Sequence, residues 1–259
     1  MLLDRDGVRL TGVDFGGHGR PVLLLHGLAG HAREWAETAS WLAESCRVLA
    51  FDARGHGGSE RLPADVSLAA HVADVVHAVE RLRLDPVTLV GQSLGGLTAL
   101  LVAAERPDLV AGLIVADASP AAGDEASVAE VGDALSRWPV PFASREAAIE
   151  FFGGPSVSAD AWADGLERRD GGWWPSFDVD VMIRTLSQAA ARSYWGEWER
   201  VSCPTLVVRA GNGIVTAADA RAMVDRLPHA RLVELPGAGH DLHLDRPAEW
   251  RSALTEFLG

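Results

Sequence analysis

VTLVGQSLGG, residues 87–96, combines a short apolar run with a Gly-x-Ser-x-Gly turn and the start of a second apolar run. The first run predicts a buried strand, and the residues after the turn predict a helix. This strand–turn–helix context indicates a nucleophile elbow, in which a tight turn holds its central residue in strained backbone geometry. Gly91 and Gly95 fit such a turn, because larger side chains would collide there. Ser93 would then stand clear of the sheet, with the backbone N–H of Leu94 pointing at the group that its hydroxyl attacks.

Length and charge limit the classes of protein that this chain can form. With 259 residues, 48% of them hydrophobic, it is long enough for one large α/β domain with its own core. The net charge of −13 argues against nucleic-acid binding and gives no support for binding to anionic membranes. The first ten residues lack the apolar core of a signal peptide, and no run approaches the roughly 20 apolar residues of a membrane span. We therefore expect a cytoplasmic protein, a monomer or a homodimer, that acts on a small molecule.

Cysteine and lysine content excludes two kinds of chemistry. Cys46 and Cys203 match no metal-binding spacing and lie in or beside apolar runs, so we expect buried thiols and no bound metal. The chain contains no lysine, which excludes Schiff-base chemistry through its own side chains, including lysine-anchored pyridoxal phosphate. The sequence therefore predicts no cofactor.

Apolar runs typical of strands alternate with runs typical of helices on both sides of the serine turn. The predicted strands span residues 8–15, as an edge strand, then 21–25, 47–51, 87–90, 109–116, 204–209 and 231–235. Such alternation predicts a mostly parallel sheet with helices on both faces, whose ligands bind at the carboxyl ends of the strands. His26, Asp52, Ser93 and Asp117 all fall at those ends.

The segment between residues 119 and 202 interrupts this alternation. It contains no strand-like run and predicts short helices at about 124–136, 145–152, 159–168, 178–190 and 193–199. We therefore expect a helical cap, residues 119–202, inserted into a core domain formed by residues 1–118 and 203–259.

The aromatic residues of this cap either form its own core or line a pocket. Trp138, Trp173 and Trp174 are the candidates for contact with a substrate. Trp173 and Trp174 follow two glycines, which free a loop to move.

The order of the motifs resembles that of the α/β-hydrolase superfamily over essentially the whole chain. His26-Gly27 follows one strand, a polar Gly-rich loop starts at Asp52, the elbow contains Ser93, and a Gly-x-Gly-His run ends at His240. The resemblance implies an eight-stranded, mostly parallel sheet with a cap, and a Ser–acid–His triad. A serine hydroxyl needs an adjacent base whose pKa is near the working pH, and the resemblance assigns that role to His240. His243 is the second choice, which we interpret as structural or pocket-lining.

The acid departs from the common family pattern. Most members carry it after the penultimate strand, where this chain has RAGNGIV at 209–215, with Asn212 as the closest match and Asp219 further on. Some members carry it after the strand that follows the elbow, where this chain has Asp117. Because a buried imidazolium needs a carboxylate to hold its tautomer and stabilise its charge, we predict Asp117 as the partner of His240. An aspartate at that position also occurs as a structural residue in members that have the usual acid.

Two backbone amides complete the predicted site. A tetrahedral intermediate needs two donors aimed at its developing negative oxygen. The elbow supplies the N–H of Leu94, and the resemblance implies the N–H of Leu28, since it follows the His-Gly pair of the family. We expect His26 to brace this loop and the polar residues that begin at Asp52 to be structural.

These expectations combine into hydrolysis of a carboxylic ester or lactone through an acyl-enzyme on Ser93, with a small apolar or aromatic substrate. A C–C bond hydrolase or an amidase would use the same triad. A non-catalytic small-molecule binding protein is the alternative from another functional class. Such a protein needs no catalytic acid, and this chain lacks the acid at its usual position. The net charge disfavours an anionic substrate, although Arg54, Arg137 and Arg192 offer local positive charges.

Overall fold

The computed structural model describes all 259 residues and contains ten strands and eleven α-helices. The strands are β1 (Leu2–Arg5), β2 (Val8–Gly16), β3 (Arg20–Leu25), β4 (Cys46–Phe51), β5 (Val87–Gln92), β6 (Val110–Ala116), β7 (Leu166–Arg169), β8 (Gly172–Pro175), β9 (Thr205–Ala210) and β10 (Ala230–Leu235). The helices are α1 (Ala36–Leu42), α2 (Leu68–Leu82), α3 (Leu94–Glu105), α4 (Glu125–Ser136), α5 (Arg145–Phe151), α6 (Val157–Asp164), α7 (Val179–Ala190), α8 (Trp195–Trp198), α9 (Ala217–Arg226), α10 (Leu242–Asp245) and α11 (Pro247–Leu258). None of the helices is both long and apolar enough to cross a bilayer.

Eight strands form one sheet in the order β1-β2-β4-β3-β5-β6-β9-β10. The β1–β2 and β2–β4 pairs are antiparallel, and the remaining pairs are parallel. The predicted mostly parallel, eight-stranded sheet is therefore confirmed. The predicted edge position of residues 8–15 is wrong, because β1 pairs along the outer side of β2. β1 was not predicted, because its four residues are too few for an alternating pattern to be recognised in the sequence.

Both faces of the sheet are buried, so alternate residues of one strand enter two different cores. On β3, Leu23 and Leu25 pack in the core that contains residues of α2 and α3, whereas Val22 and Leu24 pack in the core that contains residues of α1 and α11. All four side chains are buried. A continuous apolar run is what such a doubly covered strand requires.

Residues 119–202, which we call the insertion, lie between β6 and β9 and contain α4 to α8. They also contain an antiparallel hairpin of β7 and β8, which corrects the prediction that this segment has no strand. Residues 166–168 are not helical, and Trp173 and Trp174 lie on a strand rather than in a loop. The Asp170-Gly171 pair at the hairpin tip is the sequence signal for this turn.

The insertion contacts loops at the carboxyl end of the sheet. Arg61, in the loop after β4, donates a hydrogen bond to the carbonyl oxygen of Pro175 at 3.1 Å. Trp162 on α6 donates its indole N–H to Oδ2 of Asp241 at 3.0 Å. These contacts set the insertion against the strand ends, and its status as a separate cap domain stays a prediction.

A buried ion pair joins the loop after β4 to α2. Arg54 is 2% exposed and donates Nε and Nη2 to the two carboxylate oxygens of Asp74, at 2.6 and 2.7 Å. Arg5 on β1 donates to the same carboxylate at 2.6 Å. This cluster ties the edge of the sheet to the loop that lies beside the site described below.

We expect the substitution Asp74→Asn to lower the free energy of unfolding by about 3–5 kcal/mol, because it leaves the charge of Arg54 buried without a carboxylate. Urea titration measures this change. Asp108→Asn, which removes an exposed partner of Arg106, is the matched control and should change stability by no more than about 1 kcal/mol. A loss below about 1 kcal/mol in Asp74→Asn would contradict the importance of the buried pair.

Candidate active site

Ser93 occupies the turn between β5 and α3 with backbone angles φ 52° and ψ −119°. A positive φ is strained for serine and persists only where the surrounding structure enforces it. A Cβ atom at Gly91 would overlap the carbonyl oxygen of Gly95, and a Cβ atom at Gly95 would overlap the carbonyl oxygen of Leu25 on β3. Both glycines are therefore needed for the close packing of this turn. Ser93 itself stays partly exposed between buried neighbours.

His240 and Asp117 meet from the loops that follow β10 and β6. Nδ1 of His240 lies 2.8 Å from Oδ2 of Asp117. Since a carboxylate only accepts, Nδ1 carries the proton and Nε2 is left as the free base. The side chain of Asp117 is fully buried, whereas the imidazole is 36% exposed. The structure joins these two predicted residues, and it contains no hydrogen bond between His240 and the hydroxyl of Ser93.

The carboxylate of Asp117 is held in place by the end of β9 and the loop that follows it. Its Oδ1 accepts the N–H of Ala210 at 3.3 Å, and its Oδ2 accepts the N–H of Ile214 at 2.8 Å. A Cβ atom at Gly213 would overlap this carboxylate, so only glycine leaves room for it. The resemblance placed the usual acid in the loop after β9. In this chain that loop and the last residue of β9 instead donate hydrogen bonds to Asp117, which follows β6.

The other candidate acids and histidine of the sequence lie elsewhere. At the N-terminus of α9, Oδ2 of Asp219 accepts the hydroxyl of Thr216 at 2.7 Å, and the N–H of Asp219 donates to that hydroxyl at 3.0 Å. Neither Asp219 nor Asn212 forms a side-chain hydrogen bond with His240. His243 is buried and stacks on Trp35 with ring centroids 4.1 Å apart, as a structural residue would.

Opposing effects set the pKa of His240. Burial lowers it, whereas the hydrogen bond to Asp117 and the negative charges of Asp241, Asp117 and Asp245 raise it. The net result is a pKa above the ordinary value of 6.5. His240 therefore takes up a proton readily, as a general base must.

The 26–30 loop lies directly against the elbow. A Cβ atom at Gly27 would lie 3.2 Å from Cβ of Ser93 and would overlap Oε1 of Gln92. The N–H of Leu28 forms no hydrogen bond within the protein. Leu94 is the first residue of α3, so its N–H has no acceptor within the helix. Both predicted amides are therefore available to an anionic oxygen.

His26 connects the 26–30 loop to the loop after β4. Its Nδ1 lies 2.7 Å from the carbonyl oxygen of Gly27, and its Nε2 accepts the N–H of Ala53 at 2.9 Å. Because Nε2 accepts, the ring proton is on Nδ1, which donates to Gly27. The contacts agree with the bracing role expected for this residue.

The polar loop after β4 has structural partners. Asp52 accepts the hydroxyl of Thr11 and the N–H of Ala32, each at 2.7 Å. Arg54 is occupied by Asp74, as described above. No group of three or more His, Cys, Asp or Glu side chains is arranged to hold a metal ion.

Three residues around His240 were not among the predicted site residues. Gln92 donates its Nε2 to the carbonyl oxygen of His240 at 3.0 Å and to Oδ1 of Asp241 at 3.4 Å. Trp162 holds the other oxygen of Asp241. Together with Gly27 and Leu28 these three line a small cavity with room for about one water molecule. Gln92 and Asp241 each adjoin a predicted catalytic residue in the sequence, but nothing there indicates Trp162.

The tryptophans predicted to contact substrate lie in or beside an aromatic cluster of the insertion. Trp138 packs against Phe142, Phe151, Phe152, Trp162 and Phe177. Trp173 pairs with Phe142 through the backbone, and Trp174 lies opposite Glu167 in the hairpin. None of the three forms a side-chain hydrogen bond or ring contact with His240. Trp138 reaches the cavity only through Trp162, at 5.8 Å between ring centroids, so contact with substrate stays a prediction.

Comparison with known proteins gives one consistent family. A family model described as "alpha/beta hydrolase fold" matches residues 20–247. The chain is 30% identical over 250 residues to the sn-1-specific diacylglycerol lipase ABHD11 of Mus musculus, in an alignment that covers 92% of this chain and 80% of that protein. It is 31% identical over 255 residues to the pimeloyl-[acyl-carrier protein] methyl ester esterase of Chromobacterium violaceum, in an alignment that covers 93% of this chain and 95% of that protein. The solved structure of E-2-(acetamidomethylene)succinate hydrolase has the same fold, with a TM-score of 0.90 at 23% identity over 100% of this chain and 99% of that one.

Titration of the imidazole of His240 by NMR should give a pKa above 6.5 in the native protein. In Asp117→Asn we expect a lower pKa, because burial still acts while the hydrogen bond to a carboxylate and its charge are gone. Asp219→Asn, which changes an aspartate that does not contact His240, should leave the value unchanged. An unchanged pKa in Asp117→Asn would contradict the pairing seen in the structure.

Proposed function

The chain belongs to the alpha/beta hydrolase fold family, and from this we propose that it is a serine hydrolase that cleaves a carboxylic ester or lactone of a small apolar or aromatic molecule. The observation that carries the proposal is the 2.8 Å hydrogen bond between Nδ1 of His240 and Asp117. It fixes the tautomer in which Nε2 can take a proton from serine. The relatives named as a lipase and as a methyl ester esterase support an ester as the bond that is cleaved.

In the acylation step, Oγ of Ser93 attacks the carbonyl carbon while Nε2 of His240 takes the hydroxyl proton. The N–H groups of Leu28 and Leu94 bind the negative oxygen that develops, each contributing about 3 kcal/mol to lowering the barrier. Asp117 stays ionised and stabilises the imidazolium. The intermediate then collapses, the bond to the leaving oxygen breaks, and the imidazolium protonates that oxygen.

Deacylation repeats the same steps with water in place of the serine. His240 takes a proton from water, the resulting nucleophile attacks the acyl carbon, and the same amides bind the oxyanion. Collapse releases the carboxylic acid and returns the proton to Ser93. With a lactone, the leaving hydroxyl group remains on the released acid.

The mechanism requires a hydrogen bond from Ser93 to His240 that the structure without substrate does not contain. Catalytic hydrogen bonds are often long in unliganded enzymes and shorten when substrate binds. Ser93 and the imidazole of His240 are both partly exposed, so neither is fully enclosed by the protein.

The pairing of Asp117 with His240 also favours an enzyme over a non-catalytic binding protein. The argument for a binding protein depended on the missing acid in the loop after β9. The end of β9 and that loop instead donate N–H groups to Asp117, which in turn contacts His240, so the absence of the usual acid does not leave the imidazole without a carboxylate.

A fluorophosphonate probe should label the native protein at Ser93, as identified by peptide mass spectrometry, because only an activated serine attacks it rapidly. Ser93→Ala should not be labelled, whereas Ser252→Ala, an exposed serine on α11, should be labelled like the native protein. Absence of labelling in folded native protein would support the binding protein and contradict the hydrolase.

Hydrolysis of p-nitrophenyl esters should be slower in Asp117→Asn by about 10³–10⁴-fold in kcat, because the asparagine stabilises the wrong tautomer of His240. The control Asp219→Asn should keep kcat close to the native value. Near-native turnover in Asp117→Asn would exclude this residue as the acid. Esters of rising chain length, aryl esters and lactones in the same assay identify the preferred substrate.

A further inference from the structure

Asp241 places a negative charge beside the candidate active site without a positive partner. It directly follows His240, and it lines the same small cavity as Gly27 and Leu28. Its oxygens accept hydrogen bonds only from two neutral groups, the indole of Trp162 and the amide of Gln92. Asp241 is half-buried, and burial raises its pKa above the ordinary value.

A second carboxylate lines the same cavity. Oε2 of Glu34 accepts the N–H of His31 at 3.0 Å, and Oε1 lies 3.3 Å from Nε2 of His243. Besides burial, which raises the pKa of Asp241 most, the charge of Glu34 raises it, while the charges of His243 and His240 lower it. The walls of the cavity therefore carry two acids, and the only basic side chain among them is His31.

The arginines that could attract an anion are already paired elsewhere. None of them is among the residues that line the cavity. Arg54 is buried with Asp74, Arg137 is 76% exposed and pairs with Asp133, and Arg192 pairs with Glu197. The local positive charges that the sequence offered therefore do not compensate Asp241.

We propose that Asp241 makes this site select esters with neutral or cationic groups over esters with anionic groups, with Glu34 acting in the same direction. The inference rests on the proposed serine hydrolase function. An anionic group bound beside Asp241 gives up part of its water, finds no arginine in exchange and is repelled by the carboxylates of Asp241 and Glu34. A hydroxyl, amide or ammonium group can instead donate a hydrogen bond to Asp241.

The test compares methyl esters of similar length that differ in the charge of the distal group. Monomethyl glutarate is the anionic ester, methyl 5-oxohexanoate replaces its carboxylate by a neutral ketone, and the methyl ester of 4-(trimethylammonio)butanoate is cationic and has no amine that could cyclise onto the ester. Methanol release at pH 8 gives kcat/KM for each ester. We expect the neutral and cationic esters to exceed the anionic one by at least about tenfold, which corresponds to about 1.4 kcal/mol.

Asp241→Asn should reduce the neutral-to-anionic ratio at least threefold, whereas the control Asp219→Asn should keep the native ratio. Using a ratio removes any effect of Asp241 on His240 itself, because both esters react through the same imidazole. Equal use of the neutral and anionic esters by the native protein, or an unchanged ratio in folded Asp241→Asn, would overturn the inference. The native comparison decides this even if the variant does not fold.

Failure of the proposed function has a different signature. It would appear as no turnover of any of the three esters together with no fluorophosphonate labelling of Ser93. Failure of the charge selection alone would appear as turnover that depends on Ser93 but does not distinguish the esters.

Discussion

Asp117 is buried at the carboxyl end of β6, where the oxygens of a carboxylate need hydrogen-bond donors to replace water. Three groups supply them: the N–H of Ala210, the N–H of Ile214 and Nδ1 of His240. The first comes from the last residue of β9 and the second from the loop that follows it, so both fix the carboxylate against the backbone. The third fixes the imidazole. Because Gly213 must lack a side chain for this arrangement, the position of the acid and the sequence of a distant loop are linked.

The parallel sheet brings the remaining parts together. Leu25 on β3 lies in register with Gly91 on β5, so the 26–30 loop and the elbow leave the sheet at the same level. The strained backbone of Ser93 and the close packing of Gly27 against it then determine where the hydroxyl and the two amides lie. Groups that are far apart in the sequence converge because neighbouring parallel strands end at one edge.

The sequence predicts those parts of the molecule that depend on local pattern. Continuous apolar runs identified the central strands, and the empty position after β9 identified Asp117 as the partner of His240. The hairpin β7–β8 was missed because four-residue strands show little periodicity. Contact between Trp162 and Asp241 could not be predicted, since it depends on how the insertion packs on the core. The sequence shows which residues of the insertion are aromatic, but tertiary packing decides which of them lies beside the site.

The most direct test of this account is a crystal structure of the protein after reaction with a fluorophosphonate, since the adduct imitates the tetrahedral intermediate. We expect the phosphorus to be bonded to Oγ of Ser93, with one of its oxygens about 2.7–3.1 Å from the N–H groups of Leu28 and Leu94. His240 should remain bound to Asp117 through Nδ1 and direct Nε2 at the adduct. An adduct whose oxygen points away from both amides, or an imidazole held by a different acid, would contradict the account.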